Sequence, residues 1–249
     1  MANVKFDSDS RVSLSNADSG ANNTVFGKLA GNLLASGDTH NVFIGENVAD
    51  ADMTNASDNV AIGYNALTAA TTGDDNVIIG SGAAASLTTG KENVVVGSGA
   101  YATANTSENY GVAIGFEAAK LLDGIDNVTA IGHSALATMV AVDGNTAVGF
   151  EAGKITTGAN NTYLGFKSGK GASGADTGNV GVGSNTLLSI TSGENNVAIG
   201  HLALDALTDG DLNVAIGTSA LSAFNGDASV AIGREALRDL NHASTADGT

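Results

Sequence analysis

The 249-residue sequence contains no cysteine, no proline and no tryptophan. Without cysteine there is no disulfide framework and no thiolate metal or redox centre. Aromatic residues make up only 4%, so a core must be filled by Ala, Val, Ile and Leu. Ten Lys and Arg residues stand scattered along a chain of net charge −16, which leaves no basic stripe for neutralising phosphates and argues against nucleic-acid binding. The same deficit argues against adhesion to an anionic membrane. No apolar run approaches the length of a membrane helix, and the start, Met1 to Ser10, lacks the apolar segment of a secretory signal. The expectation is a chain made in the cytoplasm without membrane insertion.

What is abundant is glycine, 34 residues, within a chain that is 43% hydrophobic. Disorder of the usual polar kind is therefore excluded. The glycines belong to a repeat. A motif of the form Asn-Val-Ala-Ile-Gly closes on Gly27, Gly45, Gly63, Gly80, Gly97, Gly115, Gly132, Gly149, Gly165, Gly183, Gly200, Gly217 and Gly233, thirteen copies spaced 16 to 18 residues apart. The predicted organisation is an N-terminal cap or attachment segment over residues 1–22, a repeat array over 23–233, and a C-terminal cap and tail over 234–249. Arg234 to Asn241 reads as a short amphipathic helix.

Three residues before each motif glycine stands Val or Thr, and one residue before it a large apolar side chain, as in Val60 and Ile62 or Val214 and Ile216. Positions two apart share a face of an extended chain, so each motif reads as a short strand. Thirteen short strands without room for crossover helices predict an all-β solenoid, or β-roll, of about thirteen coils with parallel stacked strands. Pairs such as Leu187 with Ile190 and Leu204 with Leu207 favour a single helical turn over a second strand on the outer side of each coil. Glycine recurs at a second corner, and the missing proline follows from a ladder in which strand N–H groups must donate.

The large residues, Val60 and Ile62 and their equivalents, are the natural candidates for the coil interior. That assignment turns the middle residue outward, at Ala61, Ala113, Ala130, Ala147, Ala198, Ala215 and Ala231 among others, and none of the thirteen is charged. An uncharged outer face predicts inter-chain packing, most economically against copies of the same chain. Asn41, Asn59, Asn76, Asn93, Asn145, Asn161, Asn179, Asn196 and Asn213, together with Asn23, stand four residues before the motif glycine. Stacked coils would align these amides in a structural hydrogen-bonded ladder.

Acidic residues gather before the strands, at Asp74, Asp75, Glu92, Asp126, Asp143, Glu194, Asp209, Asp211 and Asp227. They read as a solvated edge; Ca2+ at these turns is the competing reading, but neither a calcium β-roll nonapeptide nor an EF-hand loop occurs. No cofactor is expected. Threonines at Thr71, Thr72, Thr88, Thr89, Thr156, Thr157 and Thr191 raise an ice-binding array, but the row lapses elsewhere. The four histidines, His40, His133, His201 and His242, lie at no spacing that suggests catalysis, and no phosphate loop, zinc-protease signature or nucleophile elbow is present. The chain does not read as an enzyme.

The segments Asn59-Val-Ala-Ile-Gly63, Gly111-Val-Ala-Ile-Gly115 and Asn196-Val-Ala-Ile-Gly200 resemble the head repeats of trimeric autotransporter adhesins of the YadA type, which form trimeric left-handed parallel β-rolls. The longer unit from Asn59 through Asp75, with its Asn-Ala-Leu and Thr-Thr-Gly, is similar to arrays in bacteriophage fibres and other virion structural proteins. The units here are longer than the adhesin head unit, and no signal peptide or outer-membrane anchor is recognisable. The resemblance implies a homotrimeric fibre, spike or decoration protein of a phage virion, joined to other virion proteins through residues 1–22 and contacting a host-surface glycan or receptor. A glycan-binding adhesin or glycan-degrading spike is the alternative, and an ice-binding solenoid the third.

Overall fold

The computed structural model describes residues 10–13, 22–103, 107–122, 124, 126–138, 143–171 and 174–239. Fourteen strands and no helix occur among them: β1 (Ser10–Ser13), β2 (Thr24–Lys28), β3 (Val42–Ile44), β4 (Val60–Ile62), β5 (Val77–Ile79), β6 (Val94–Val96), β7 (Val112–Ile114), β8 (Thr129–Ile131), β9 (Thr146–Val148), β10 (Thr162–Leu164), β11 (Val180–Val182), β12 (Val197–Ile199), β13 (Val214–Ile216) and β14 (Val230–Ile232). The protein is an all-β solenoid whose rungs are the thirteen repeat strands. They fall into two compact units, Met1–Val128 and Thr129–Thr249. In the first, β2 to β7 pair in parallel in chain order, with Val60 opposite Val77 and Ile62 opposite Ile79. In the second, β8 to β14 do the same, with Ala198 opposite Ala215. β1 runs antiparallel along β2, Val12 opposite Phe26.

The motif glycines set the approach of one coil to the next. Their φ angles are 124–144°, a region that side chains rarely adopt. A Cβ on Gly63 would lie 2.5 Å from the carbonyl oxygen of Gly80, and one on Gly165 2.4 Å from that of Gly183. The backbone that leaves each glycine bonds to both neighbours. Gly63 and Asn65 donate N–H bonds back to Ile44 and Glu46, whereas Leu67 and Ala69 donate forward to Ala83 and Ala85. Proline has almost no position at which it would not cost a bond.

The outer part of each coil is not a helical turn. Two tight turns follow one another instead: Ala66 donates to the carbonyl of Gly63 and Ala70 to that of Leu67. Asn65 and Leu67 take φ of 54° and 52°, and such left-handed residues stop a helix from propagating. The three-residue spacing of Leu187 and Ile190 or Leu204 and Leu207 reflects this second turn, with both members buried. The helix expected from Arg234 is likewise absent as far as Asp239: Glu235 and Leu237 repeat the same left-handed pair. Residues 240–249, His242 among them, lie outside the described residues.

The expected orientation of the strands is reversed. Ala61, Ala113, Ala130, Ala147, Ala198 and Ala215 are fully buried inside their own coil, and Ala231 is 3% exposed. They do not form an inter-chain face. Val60, Ile62 and their equivalents are the outward residues, half-buried or exposed. Parity explains the reversal. The motif asparagine lies two residues before the alanine, so it shares the alanine's face, and this asparagine is buried throughout the array. One coil turns Asn59, Ala61, Ala66, Leu67, Ala70 and Gly73 inward, and the narrow interior takes small side chains where a strand crosses it.

Where a large residue enters that interior, a neighbour gives way. Tyr163 occupies the middle strand position, and Gly169 and Gly181 leave room for its ring: a Cβ on Gly169 would lie 2.2 Å from Tyr163 Cε1. Phe43 is accommodated in the same way by Gly31. The prediction is that Ala198→Asp, which places a charge in this interior, lowers the stability of the single chain by several kcal/mol. Ile199→Asp, on the outward face, leaves it within about 1 kcal/mol; urea unfolding followed by circular dichroism, at protein concentrations where the chain is monomeric, separates the two.

Candidate interaction surface

The buried asparagines form two continuous ladders. In the first unit the side-chain oxygen of Asn41 accepts both the backbone N–H of Asn59 (2.9 Å) and its amide nitrogen (3.1 Å), and Asn59 stands in the same relation to Asn76, and Asn76 to Asn93. Asn23 starts the series by accepting the N–H of Asn41. In the second unit the ladder runs from Asn145 through Asn161, Asn179 and Asn196 to Asn213. Each amide nitrogen also donates to a corner carbonyl, Asn59 to Gly73 and Asn196 to Gly210 at 2.8 Å. Both ends of the amide are needed, so neither Asp nor Leu can substitute. These residues are occupied within the coil and offer nothing to a ligand. At Gly111 the asparagine is missing because the Tyr101 hydroxyl fills its place, 2.0 Å from where a Cβ would stand.

A second set of inward polar residues is not apparent from motif matching. Asp38, Glu108 and Asp176 point into the interior and are essentially fully buried. All three stand seven residues before a motif glycine in coils of 18 residues; the fourth 18-residue coil carries Ala56 there, and four of the six 17-residue coils carry Gly73, Gly90, Gly193 and Gly210. A Cβ on Gly73 would meet the Gly90 carbonyl oxygen at 2.4 Å. An 18-residue coil therefore has room at this corner for a carboxylate without requiring one, and acidic residues at a fixed repeat position were the signal that could have found them. Asp38 accepts the N–H of Ala56 at 2.8 Å, and Glu108 that of Gly124 at 2.8 Å. Asp176 accepts the Tyr163 hydroxyl at 2.6 Å. Burial pushes the Asp176 carboxyl up to about 6 and raises the Tyr163 phenol well above its ordinary value.

The acidic turns do more than solvate an edge. Asp74 accepts the N–H of Ser57, Asp126 that of Asn109, Asp211 that of Glu194 and Asp227 that of Asp211, at 2.7 to 2.9 Å. These carboxylates extend the coil-to-coil ladder outward. Among the described residues no three His, Asp or Glu side chains converge as a metal-binding group. The threonine hydroxyls are engaged as well: Thr71, Thr157 and Thr191 donate to carbonyls of Thr88, Gly174 and Thr208 in the next coil. The row behind the ice-binding reading is thus part of the ladder.

Two features remain turned outward. One is the strand face itself, where positions such as Val77 and Ile79 or Val197 and Ile199 are uncharged in every repeat. Ile199 is 38% exposed and Leu164 47%. The other is a stack of rings in the second unit, on the residues that follow the motif glycines. His133 and Phe150 are 5.2 Å apart between centroids, Phe150 and Phe166 5.3 Å at an interplanar angle of 11°, and the Lys167 ammonium lies 4.9 Å from the Phe166 centroid. Lys154 and Lys170 share Glu151, at 2.6 and 3.1 Å. Read along the sequence these lysines looked scattered, because coil stacking rather than proximity in the chain brings them together. His40 lies 3.8 Å from Asp58 at the surface, and His201 is exposed.

No protein-family model, curated protein or solved structure matches the chain.

Two predictions follow from the buried groups. Asn196→Leu orphans the backbone N–H of Asn213 and the carbonyl of Gly210, removes one of the two bonds of the Asn213 amide nitrogen, and should cost about 2–4 kcal/mol in urea unfolding. For Asp176, a folded value near 6 above the unfolded one near 4 means that the folded state keeps a proton the unfolded state has released. Stability from this group is fully present below pH 4, declines by about 2–3 kcal/mol as pH rises to 6, and is level above. Unfolding midpoints of Asp176→Asn across that window should fall less steeply than those of the parent chain.

Proposed function

We propose that the chain is a non-enzymatic structural element of a phage virion, a fibre, spike or decoration protein assembled as a homotrimer. The observation that carries the reading is the outward strand face: at the two positions that flank the buried middle residue of each repeat, twelve side chains on β2 to β7 and fourteen on β8 to β14, none charged. Each unit's face alone supplies about half of the 20–30 residues per partner in a standard protein interface. An apolar sheet face of this extent is normally covered, and another coil stack offers the same apolar steps at the same spacing. The three-fold stoichiometry and the virion follow from the resemblance of the Asn-Val-Ala-Ile-Gly units to adhesin heads and phage fibre arrays.

Support for a structural role comes from where the polar residues go. The asparagines, the acidic turns and the threonines are consumed in coil-to-coil bonding, a design for stiffness. Attachment through residues 1–22 belongs to the same proposal; β1 and Asn22 are the described parts of that segment.

Sedimentation of the purified protein should give a species three times the 24.5 kDa chain mass. A double variant, Ile199→Asp with Ile216→Asp, should dissociate it while circular dichroism stays unchanged. A stable monomer at micromolar concentration, or a trimer indifferent to these outward substitutions, overturns the reading; immunogold labelling of virions tests the location separately.

A further inference from the structure

We propose that the Phe150 and Phe166 rings, with Lys154, Lys167 and Lys170, form a binding surface for an acidic polysaccharide. On a chain of net charge −16, this is a local excess of positive charge: three lysines of two adjacent coils against one carboxylate, Glu151, which pairs with two of them. Both Glu151 oxygens are taken, by Lys154 and Lys170, and the Lys154 hydrogen bond holds its carboxyl below the usual range. Lys167 has no carboxylate partner among the described residues; its ammonium rests against Phe166 instead.

The rings add to this field. Phe150 and Phe166 are 41% and 47% exposed, and because their faces meet each other, the edges turn to solvent. Ring edges are the electropositive part of the aromatic quadrupole. The surface therefore offers apolar area and positive potential together, which suits a polymer that carries both C–H-rich rings and carboxylate or sulfate groups.

Other occupants fit less well. A peptide strand has no main chain to pair with, since the N–H groups of Glu151, Gly153 and Lys167 already donate to His133, Ser168 and Phe150. The dense phosphates of a duplex or an anionic bilayer meet the repulsion of the surrounding chain. A second copy could present its acidic turns, but in this unit Asp211 and Asp227 are already bonded to backbone N–H groups.

The proposal is independent of the virion reading and is tested by retention of the full chain on immobilised polygalacturonate, dextran sulfate and neutral dextran. Retention is expected on the carboxylated or the sulfated polymer, weakening as salt rises, and not on dextran. The combined Lys154→Gln, Lys167→Gln and Lys170→Gln variant should bind about tenfold more weakly, and Phe166→Ala should also weaken binding. Lys91→Gln, a lysine of the first unit paired with Asp74, should not. Unchanged circular dichroism and oligomeric mass in the triple-lysine variant separate loss of the surface from loss of the fold or assembly. The proposal is overturned by equal retention on dextran, by a triple-lysine variant that binds like the parent, by comparable binding to duplex DNA or phosphatidylserine vesicles, or by loss of self-association in that variant.

Discussion

The contact of one motif glycine with the next is the constraint from which the rest of the structure follows. With no Cβ at Gly63, Gly80 or Gly97, each carbonyl comes within a distance that any side chain would block. At that separation the backbone of successive coils can bond almost continuously, and the turn residues alternate between donating backward and forward. Side chains then complete the ladder on both sides of the coil wall. Asparagine amides do so inside and aspartate carboxylates outside, and the threonine hydroxyls that stack beside them do the same. The absence of proline is a consequence of this demand for donors.

A coil held to such a spacing has an interior of limited volume, so its contents are conserved between neighbouring positions. Tyr163 is matched by Gly169 and Gly181, Phe43 by Gly31, and the Tyr101 hydroxyl by the missing side chain of Gly111. Close packing makes such exchanges the tolerated ones, since either an extra or a missing group costs stability. Among the described residues, buried carboxylates enter at corners of 18-residue coils, where each has N–H or O–H donors.

The surface is divided by the same geometry. Strand alternation presents an uncharged face along each unit, suited to self-association, while the residues after the motif glycines are free to vary from coil to coil. In most coils they are small or polar. In the coils of Phe150 and Phe166 they form a ring stack flanked by lysines, a local feature placed on a uniform scaffold.

The coil number, the short parallel strands, the corner glycines and the asparagine ladder were legible in the sequence, because a fixed repeat length forces equivalent residues into register. Which face of the strand is the interior was not. Residue size alone places Val60 and Ile62 inside, yet Asn59 decides the matter: its amide finds donors and acceptors only within the stacked coils, and Ala61 must share its side. Nor could the sequence bring Lys154 and Lys170 to one carboxylate, or pair Tyr163 with Asp176. Periodicity along a chain determines which residues are equivalent; only the closed coil determines which way they point and what they meet.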